Sequence, residues 1–463
     1  MPKNINSFFN NIIGKRIAFC GIGKSNLPLI KMFSQKGAVV TACDSKSENQ
    51  LADVIKQLEP YNIKLNLGEN YLNNLVDFDI IFRSPGLNLF SSELVEAKNK
   101  GCVVTSEMEL FFDLCPCKII GVTGSDGKTT TTTIISEILK QEGKTVHLGG
   151  NIGTPLLPQI EKIKEDDVAV VELSSFQLIS MRKSPDVAVV TNISPNHLDV
   201  HKDMTEYIEA KKNIILHQNA FSRTVLNMDN EITRQFSDDV RGQNLFFSSK
   251  DKCDNGAYLD EDTIYFSKNG VSKPILNISE IHVPGKHNVE NYVAAICAVF
   301  EDVSIDSIRT VAKNFVGVEH RTEFVREVNH VKYYNDSIAS SPTRTICGTL
   351  SLFPQRIILI SGGYDKKIPF DTLGSVIADK VKVLILLGQT ANKIRDAVIN
   401  SSKFSPDSVK ILFAKDMQEA VNIAKENAVP GDIVSLSPAC ASFDLYENFM
   451  KRGWHFKELV NKL

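Results

Sequence analysis

The chain has 463 residues, with 52 Lys+Arg against 55 Asp+Glu and a formal net charge of −3 at pH 7 with histidine neutral. That balance gives no electrostatic reason to expect a nucleic-acid partner, and 43% hydrophobic with 23% charged residues is an ordinary globular composition in a chain too long for one core. No run reaches the roughly 18–20 apolar residues of a membrane span, and the opening MPKNINSFFNNIIGKR has no apolar stretch of signal-peptide length, so a cytoplasmic protein without membrane insertion is expected.

In chain order, short β-branched runs alternate with longer mixed stretches: Arg16-Ile-Ala-Phe-Cys20, Ala38-Val-Val-Thr-Ala-Cys43 and Asp79-Ile-Ile-Phe82. This is βαβ punctuation, which predicts a parallel sheet covered by helices. A second series begins at Lys118-Ile-Ile-Gly-Val122 and continues through Val168-Ala-Val-Val-Glu172 and Val187-Ala-Val-Val-Thr191. Polar residues gather where each of these strands ends, the place where open α/β sheets put their chemistry. From about 222 to 281 a polar segment with Gly242, Gly256 and Gly270 reads as short strands and turns inserted before a helix beginning near Asn288. A third series holds Val331-Lys-Tyr-Tyr334, Arg356-Ile-Ile-Leu-Ile-Ser361, Val381-Lys-Val-Leu-Ile-Leu-Leu387 and Asp432-Ile-Val-Ser-Leu436. Three α/β domains follow, over residues 1–106, 107–317 and 318–463, with Rossmann-like folds at both ends and a phosphate-loop domain with a parallel sheet between them. The nine cysteines are scattered, and Cys115-Pro-Cys117 has no second pair at zinc-ligand spacing, which predicts reduced, mostly buried thiols.

The strongest chemical signal is Gly121-Val-Thr-Gly-Ser-Asp-Gly-Lys-Thr-Thr130, set between a strand and the helical stretch Thr131 to Gln141. Backbone N–H groups of such a loop surround phosphate oxygens, Lys128 neutralises their charge, and the Thr129 hydroxyl can ligate Mg2+. The full Walker spacing fails because Val122 stands five before Gly127, leaving Gly124-x-x-Gly127-Lys128-Thr129. Nearer the N-terminus, Gly21-Ile-Gly23-Lys-Ser25 follows a strand and Asp44 ends the next one. A dinucleotide fingerprint wants a third glycine where Asn26 stands, so a nucleotide-like ligand is indicated and NAD or FAD is a weaker alternative. Glu172 ends the second strand of this central series, and a carboxylate at that position in a phosphate-loop domain can hold nucleotide-bound magnesium. Asn192-Ile-Ser-Pro-Asn-His-Leu-Asp-Val-His201 ends the next, and its hydrophilic residues so soon after a buried strand fit the floor of an active site. Lys211 falls on a plausible helix, where lysines are ordinarily solvated.

These residues resemble the ATP-dependent Mur ligases of bacterial cell-wall synthesis along essentially the whole chain. The shared pattern runs from the Thr-Gly-Ser-x-Gly-Lys-Thr loop through Gly149-Gly-Asn-Ile-Gly153, Glu172-Leu-Ser-Ser, Asn196-His-Leu-Asp199, Tyr207-x-x-Ala-Lys211, Gly285-x-His-Asn-x-x-Asn291, His320-Arg321 and Asn335-Asp336-Ser337. Within the family, Ser84-Pro-Gly86 and Leu436-Ser-Pro-Ala-Cys-Ala-Ser-Phe-Asp444 are similar to the D-glutamate-adding branch. The resemblance implies an amide ligase that joins D-glutamate to UDP-N-acetylmuramoyl-L-alanine through an acyl phosphate, with ATP, two Mg2+ sites and a monomeric chain. It implies that Gly23, Lys24, Ser25, Asp44, Ser45, Lys46, Ser84, Pro85, Gly86, Asn151 and His197 meet the UDP substrate. Gly124, Ser125, Asp126, Gly127, Lys128, Thr129, Thr130, Asn291, Arg321 and Asp336 are assigned to ATP. Thr129, Glu172, His197 and a carbamylated Lys211 are assigned to the metals, with Lys128, Glu172, His197 and Lys211 catalytic. Ser340, Lys366, Ser442, Phe443 and Phe449 are assigned to D-glutamate. Ile338 and Ser340 stand where many members carry Lys and Thr, and Asp126 replaces a more usual Asn or Lys, so its acidic side chain must point away from phosphate or cap the helix. Against this reading stand a folylpolyglutamate synthase, which lacks the first domain; the L-alanine-adding ligase, which lacks the C-terminal motif; a nucleotide-dependent switch; and an oxidoreductase resting on Gly21-Ile-Gly23 alone.

Overall fold

The computed structural model describes residues 4–195 and 201–463. Its contacts form two compact units, Met1–Ile278 with Val289–Val311, and Ser279–Asn288 with Ala312–Leu463. The architecture is α/β throughout, built on three mainly parallel sheets.

The first unit carries two of these sheets. In one, the spatial order is Ile63–Leu67, Val39–Asp44, Arg16–Cys20, Ile80–Arg83 and Val103–Thr105, all parallel. Arg16–Cys20 is buried from Ile17 onward, as a strand covered by helices on both faces must be. Phe19 and Phe82 stack at 4.7 Å, with Phe33 edge-on to both, closing the core on one face. The strand order reverses between Arg16–Cys20 and Ile80–Arg83, so a crevice opens at their carboxyl ends. Gly21 begins the loop there with φ +93, and a Cβ on it would lie 2.6 Å from the Ser84 hydroxyl. Glycine is therefore required at that turn.

The second sheet has nine strands, ordered Val271–Asn277, Thr263–Lys268, Gly256–Asp260, Gln243–Ser248, Arg223–Asn227, Val187–Val190, Lys118–Thr123, Val168–Glu172 and Val146–Gly150. The short strands and turns expected from about 222 to 281 are present and extend this sheet. Arg223–Asn227, Gln243–Ser248 and Gly256–Asp260 continue it in parallel, and the last two strands return as antiparallel hairpins. Asn269 and Gly270 both have positive φ between paired Lys268 and Val271, the two-residue turn that Asn-Gly favours. The helix expected near Asn288 is Lys286–Val299.

The second unit orders Glu323–Val328, Val331–Asn335, Ile433–Leu436, Ile357–Ser361, Val381–Leu386 and Lys410–Phe413, antiparallel only in its first pair. Asn335 pairs with Leu436, so the loops after these two strands leave the sheet side by side. All nine cysteines are free and only Cys347 is exposed. Among the described residues no helix is long and apolar enough to cross a membrane.

Candidate active site

The phosphate loop joins Lys118–Thr123 to the helix Lys128–Gln141. Its two glycines are sterically required. Gly124 has φ +148 and a Cβ there would fall 1.9 Å from Thr191 Oγ1; Gly127 has φ +76 and would meet Asn291 Oδ1 at 2.5 Å. The adjacent strand end holds the loop from outside. Ser125 N–H donates to Asn192 O at 2.8 Å, Asp126 N–H to Asn192 Oδ1 at 2.9 Å, and Thr191 Oγ1 to Asp126 O at 2.6 Å. Ser125 Oγ donates to Ser194 O at 3.0 Å and lies 3.0 Å from the Tyr207 hydroxyl. The Asp126 side chain is exposed and does not cap the helix, so no carboxylate competes with an anion for the helix N-terminus. Lys128 Nζ lies across the loop, 2.9 Å from the carbonyls of Gly124 and Ser125.

Register places the metal candidates beside this loop, because Val122 pairs with Glu172 and Glu172 with Gly150. Glu172 is buried, and its two carboxylate oxygens accept from Thr129 Oγ1 and Asn151 Nδ2, each at 2.7 Å. A carboxylate and a hydroxyl at a phosphate loop form a hard-oxygen donor set. It fits magnesium, which keeps waters and phosphate oxygens in its shell. Thr130 and Asn291 are buried along the same helix–helix contact, Thr131 Oγ1 donating to Asn291 Oδ1 at 3.2 Å.

Lys211 departs from the solvated lysine expected of its helix, Met204–Leu216. It is 2% exposed, and its Nζ donates to Gly124 O at 2.8 Å and Thr123 Oγ1 at 3.4 Å. Burial, aided by the charge of Lys128, pushes its amine down to about 7. His197 lies outside the described residues. Its neighbour His201 is a structural histidine, buried between Glu206 and Ser175 Oγ at 2.9 Å each and stacked on Phe176.

At the carboxyl ends of the first sheet, Lys24, Ser25, Pro85 and Asn151 line one cleft with Gly150, Gly153, Pro155 and Gln177. Gly153 falls in a sequence motif, but nothing in the chain singled out Pro155 or Gln177. Asp44 does not line this cleft. Its carboxylate accepts from Ile22 N–H at 2.8 Å and Lys46 N–H at 3.0 Å, tying two loops together, while Ser45, Lys46, Gly23 and Gly86 are exposed and Ser84 is half-buried.

In the second unit Arg321 is exposed between His320 and Thr322, both in left-handed backbone at φ 64 and 42. Asp336 is buried and fully engaged, accepting from Thr349 Oγ1 at 2.9 Å, Ser437 Oγ at 2.8 Å and Thr322 N–H at 3.2 Å. Burial pushes its carboxyl up to about 6. Lys366 Nζ reaches Ser340 O at 3.5 Å, Ser442 is buried, and Phe443 is exposed with its ring 6.0 Å from Tyr364. Phe449 lies edge-on to His320, and its carbonyl accepts from Ser337 Oγ at 2.8 Å. Ile338 is half-buried beside this group.

Three family models match in chain order: the Mur ligase MurD-like N-terminal domain over residues 15–106, the Mur ligase middle domain over 122–299, and the Mur ligase glutamate ligase domain over 320–440. A UDP-N-acetylmuramoylalanine–D-glutamate ligase from Acetivibrio thermocellus is 53% identical over the whole of both chains. The chain belongs to the Mur ligase family. Ligases of the same name from Clostridium kluyveri and Clostridium tetani are 51% and 50% identical, again over the full length of both chains. Among solved structures, the Mur ligase fold is shared with UDP-N-acetylmuramate-alanine ligase MurC from Thermotoga maritima, at a TM-score of 0.59 and 17% identity over 97% of this chain and 99% of that one. MurF from Acinetobacter baumannii matches at 0.59 and 16% identity over 91% of each chain.

Proposed function

We propose that this Mur ligase is an ATP-dependent enzyme that adds D-glutamate to UDP-N-acetylmuramoyl-L-alanine, forming a peptidoglycan precursor with release of ADP and phosphate. The observation that carries the reading is full-length identity of 53% to a ligase of that name together with a preformed phosphate loop next to the Thr129–Glu172–Asn151 cluster. The work is divided over residues 1–106 for the UDP substrate, 107–317 for ATP and 318–463 for D-glutamate.

An amide does not form from a carboxylate in water without a better leaving group than oxide. The substrate carboxylate therefore attacks the γ-phosphorus of ATP, the bond to the bridging oxygen breaks, and ADP departs. The D-glutamate amine then attacks the acyl carbon, phosphate leaves and the amine gives up a proton. Loop N–H groups and Lys128 hold and neutralise the phosphates, and most of the rate comes from positioning and charge stabilisation. Thr129 and Glu172 hold magnesium, which supplies charge neutralisation on phosphate oxygens when bound. A second magnesium is assigned to His197 and to Lys211 as a carbamate. Burial and an amine pushed down to about 7 support the carbamate, since CO2 adds to the unprotonated form. A 13C carbamate resonance after 13C-bicarbonate treatment, present in the wild type and missing in Lys211→Ala, tests that assignment; its persistence in the variant would refute it.

Asn291, Arg321 and Asp336 are assigned to ATP, and Ser340, Lys366, Ser442, Phe443 and Phe449 to D-glutamate. Mass analysis of the product tests the function. Incubation with ATP, Mg2+ and UDP-N-acetylmuramoyl-L-alanine should yield a condensed product with D-glutamate and none with L-glutamate; condensation with L-alanine or another amino acid instead would overturn it.

A further inference from the structure

Arg83 is the largest fully buried polar side chain of the first unit, 2% exposed, and the assigned reaction gives it no role. It ends the strand Ile80–Arg83 directly before Ser84-Pro-Gly86, so its backbone carries one wall of the substrate cleft. Its Nη1 turns back to the carbonyls of Leu87 at 3.3 Å and Ser84 at 3.5 Å, closing the turn that presents Pro85. Its Nη2 donates to Phe176 O at 2.8 Å and Ser180 Oγ at 2.9 Å. Those partners belong to the helix Ser175–Leu178 and the turn after it, which present Gln177 on the opposite wall. Ser180 Oγ in turn donates to Glu109 Oε2 at 3.0 Å, and Ser106 Oγ reaches the same oxygen at 2.8 Å. One forked cation thus grips both walls, and the hydroxyl of Ser180 links it to the half-buried Glu109 carboxylate.

A second observation points the same way. Arg83 Nε, a donor, and Asn26 Oδ1, an acceptor, are both buried without a protein partner. Both residues line a small chamber that shares Ser25, Pro85 and Gln177 with the cleft. Its free space of about 10 Å³ suits about one water-sized polar group. Asn26 stands where the nucleotide fingerprint calls for glycine, and its Nδ2 is folded back on Gly21 O at 2.9 Å. An unsatisfied donor and acceptor on one small chamber are costly unless a polar group bridges them.

We propose that Arg83 is a positioning residue for the UDP-substrate cleft, fixing the Pro85 and Gln177 walls in register through its fork and, with Asn26, holding one water or substrate hydroxyl at the cleft floor. This rests on the cleft being the UDP-substrate site. A lysine offers a point charge in place of a planar fork and cannot serve both walls at once.

The test is titration calorimetry of full-length wild type, Arg83→Lys and Ser180→Ala with UDP-N-acetylmuramoyl-L-alanine, beside steady-state KM values for all three substrates. Wild type failing to bind that compound would refute the functional reading itself. Given wild-type binding, Arg83→Lys should weaken it tenfold or more and Ser180→Ala threefold or more. KM for ATP and D-glutamate and the rate at saturation should stay within twofold. Binding within twofold of wild type in both folded variants would overturn the proposal, as would equal loss toward all three substrates, which marks a general structural role. If Arg83→Lys does not fold, Ser180→Ala alone decides on the same criteria.

Discussion

Asp336 illustrates how a side chain can be read correctly as important while its surroundings stay invisible in sequence. The motif Asn335-Asp336-Ser337 marks the residue, yet its three donors come from Thr322, Thr349 and Ser437, far apart along the chain. Burial raises its carboxyl from 3.8 to about 6. Between these values the native state keeps a proton that the unfolded chain has released, so stability falls as pH rises through that window and changes no further above it. Paired urea-unfolding measurements on full-length wild type and Asp336→Asn should therefore show the wild type losing about 2 kcal/mol relative to the variant between pH 4.5 and 7. A constant difference would show that the carboxyl titrates normally. Lys211 makes the opposite point. A lysine on a helix is ordinarily solvated, but the helix Met204–Leu216 turns this one onto the phosphate loop, and only the family resemblance singled it out. Arg83 carried no sequence signal at all, since an arginine at a strand end is ordinarily exposed.

At the scale of elements, glycines separate function from folding. A methyl on Gly124 collides with Thr191 and Asn192, so Gly124→Ala should cut ATP-dependent turnover by roughly a hundredfold while UDP-substrate binding persists, because only the phosphate loop is disturbed. Gly270 also has positive φ but open space around it. Gly270→Ala should cost about 1 kcal/mol in unfolding measurements and leave turnover unchanged. Equal turnover losses in the two variants would contradict this division. The same scale explains what the sequence hid of the fold. Interior strands such as Lys118–Thr123 and Ile357–Ser361 are buried along almost their whole length and read as apolar runs. Ile63–Leu67, Val103–Thr105, Val146–Gly150, Glu323–Val328 and Lys410–Phe413 are all sheet edges. With one flank in solvent they carry polar residues and give no such run. The Asn269-Gly270 turn was a legible hairpin signal inside the segment read as an insertion.

Over the whole molecule, three α/β sheets each place short polar loops at the carboxyl ends of their strands, and many of the assigned residues fall on those loops, while Lys211 and Asn291 come from helices and Arg321 from the segment before Glu323–Val328. That arrangement was legible because strand ends and motifs coincide along the chain; the pairing of Glu172 with Thr129 and Asn151 was not, since register is set by the sheet. The central claim is an ATP-driven condensation that needs both acceptor and amino acid. Its most direct test is phosphate release from ATP and Mg2+ with UDP-N-acetylmuramoyl-L-alanine, measured with D-glutamate, with L-glutamate and with neither. Release that requires the UDP substrate and D-glutamate together is the expected result, whereas steady release indifferent to D-glutamate would leave a nucleotide-hydrolysing switch and contradict the ligase.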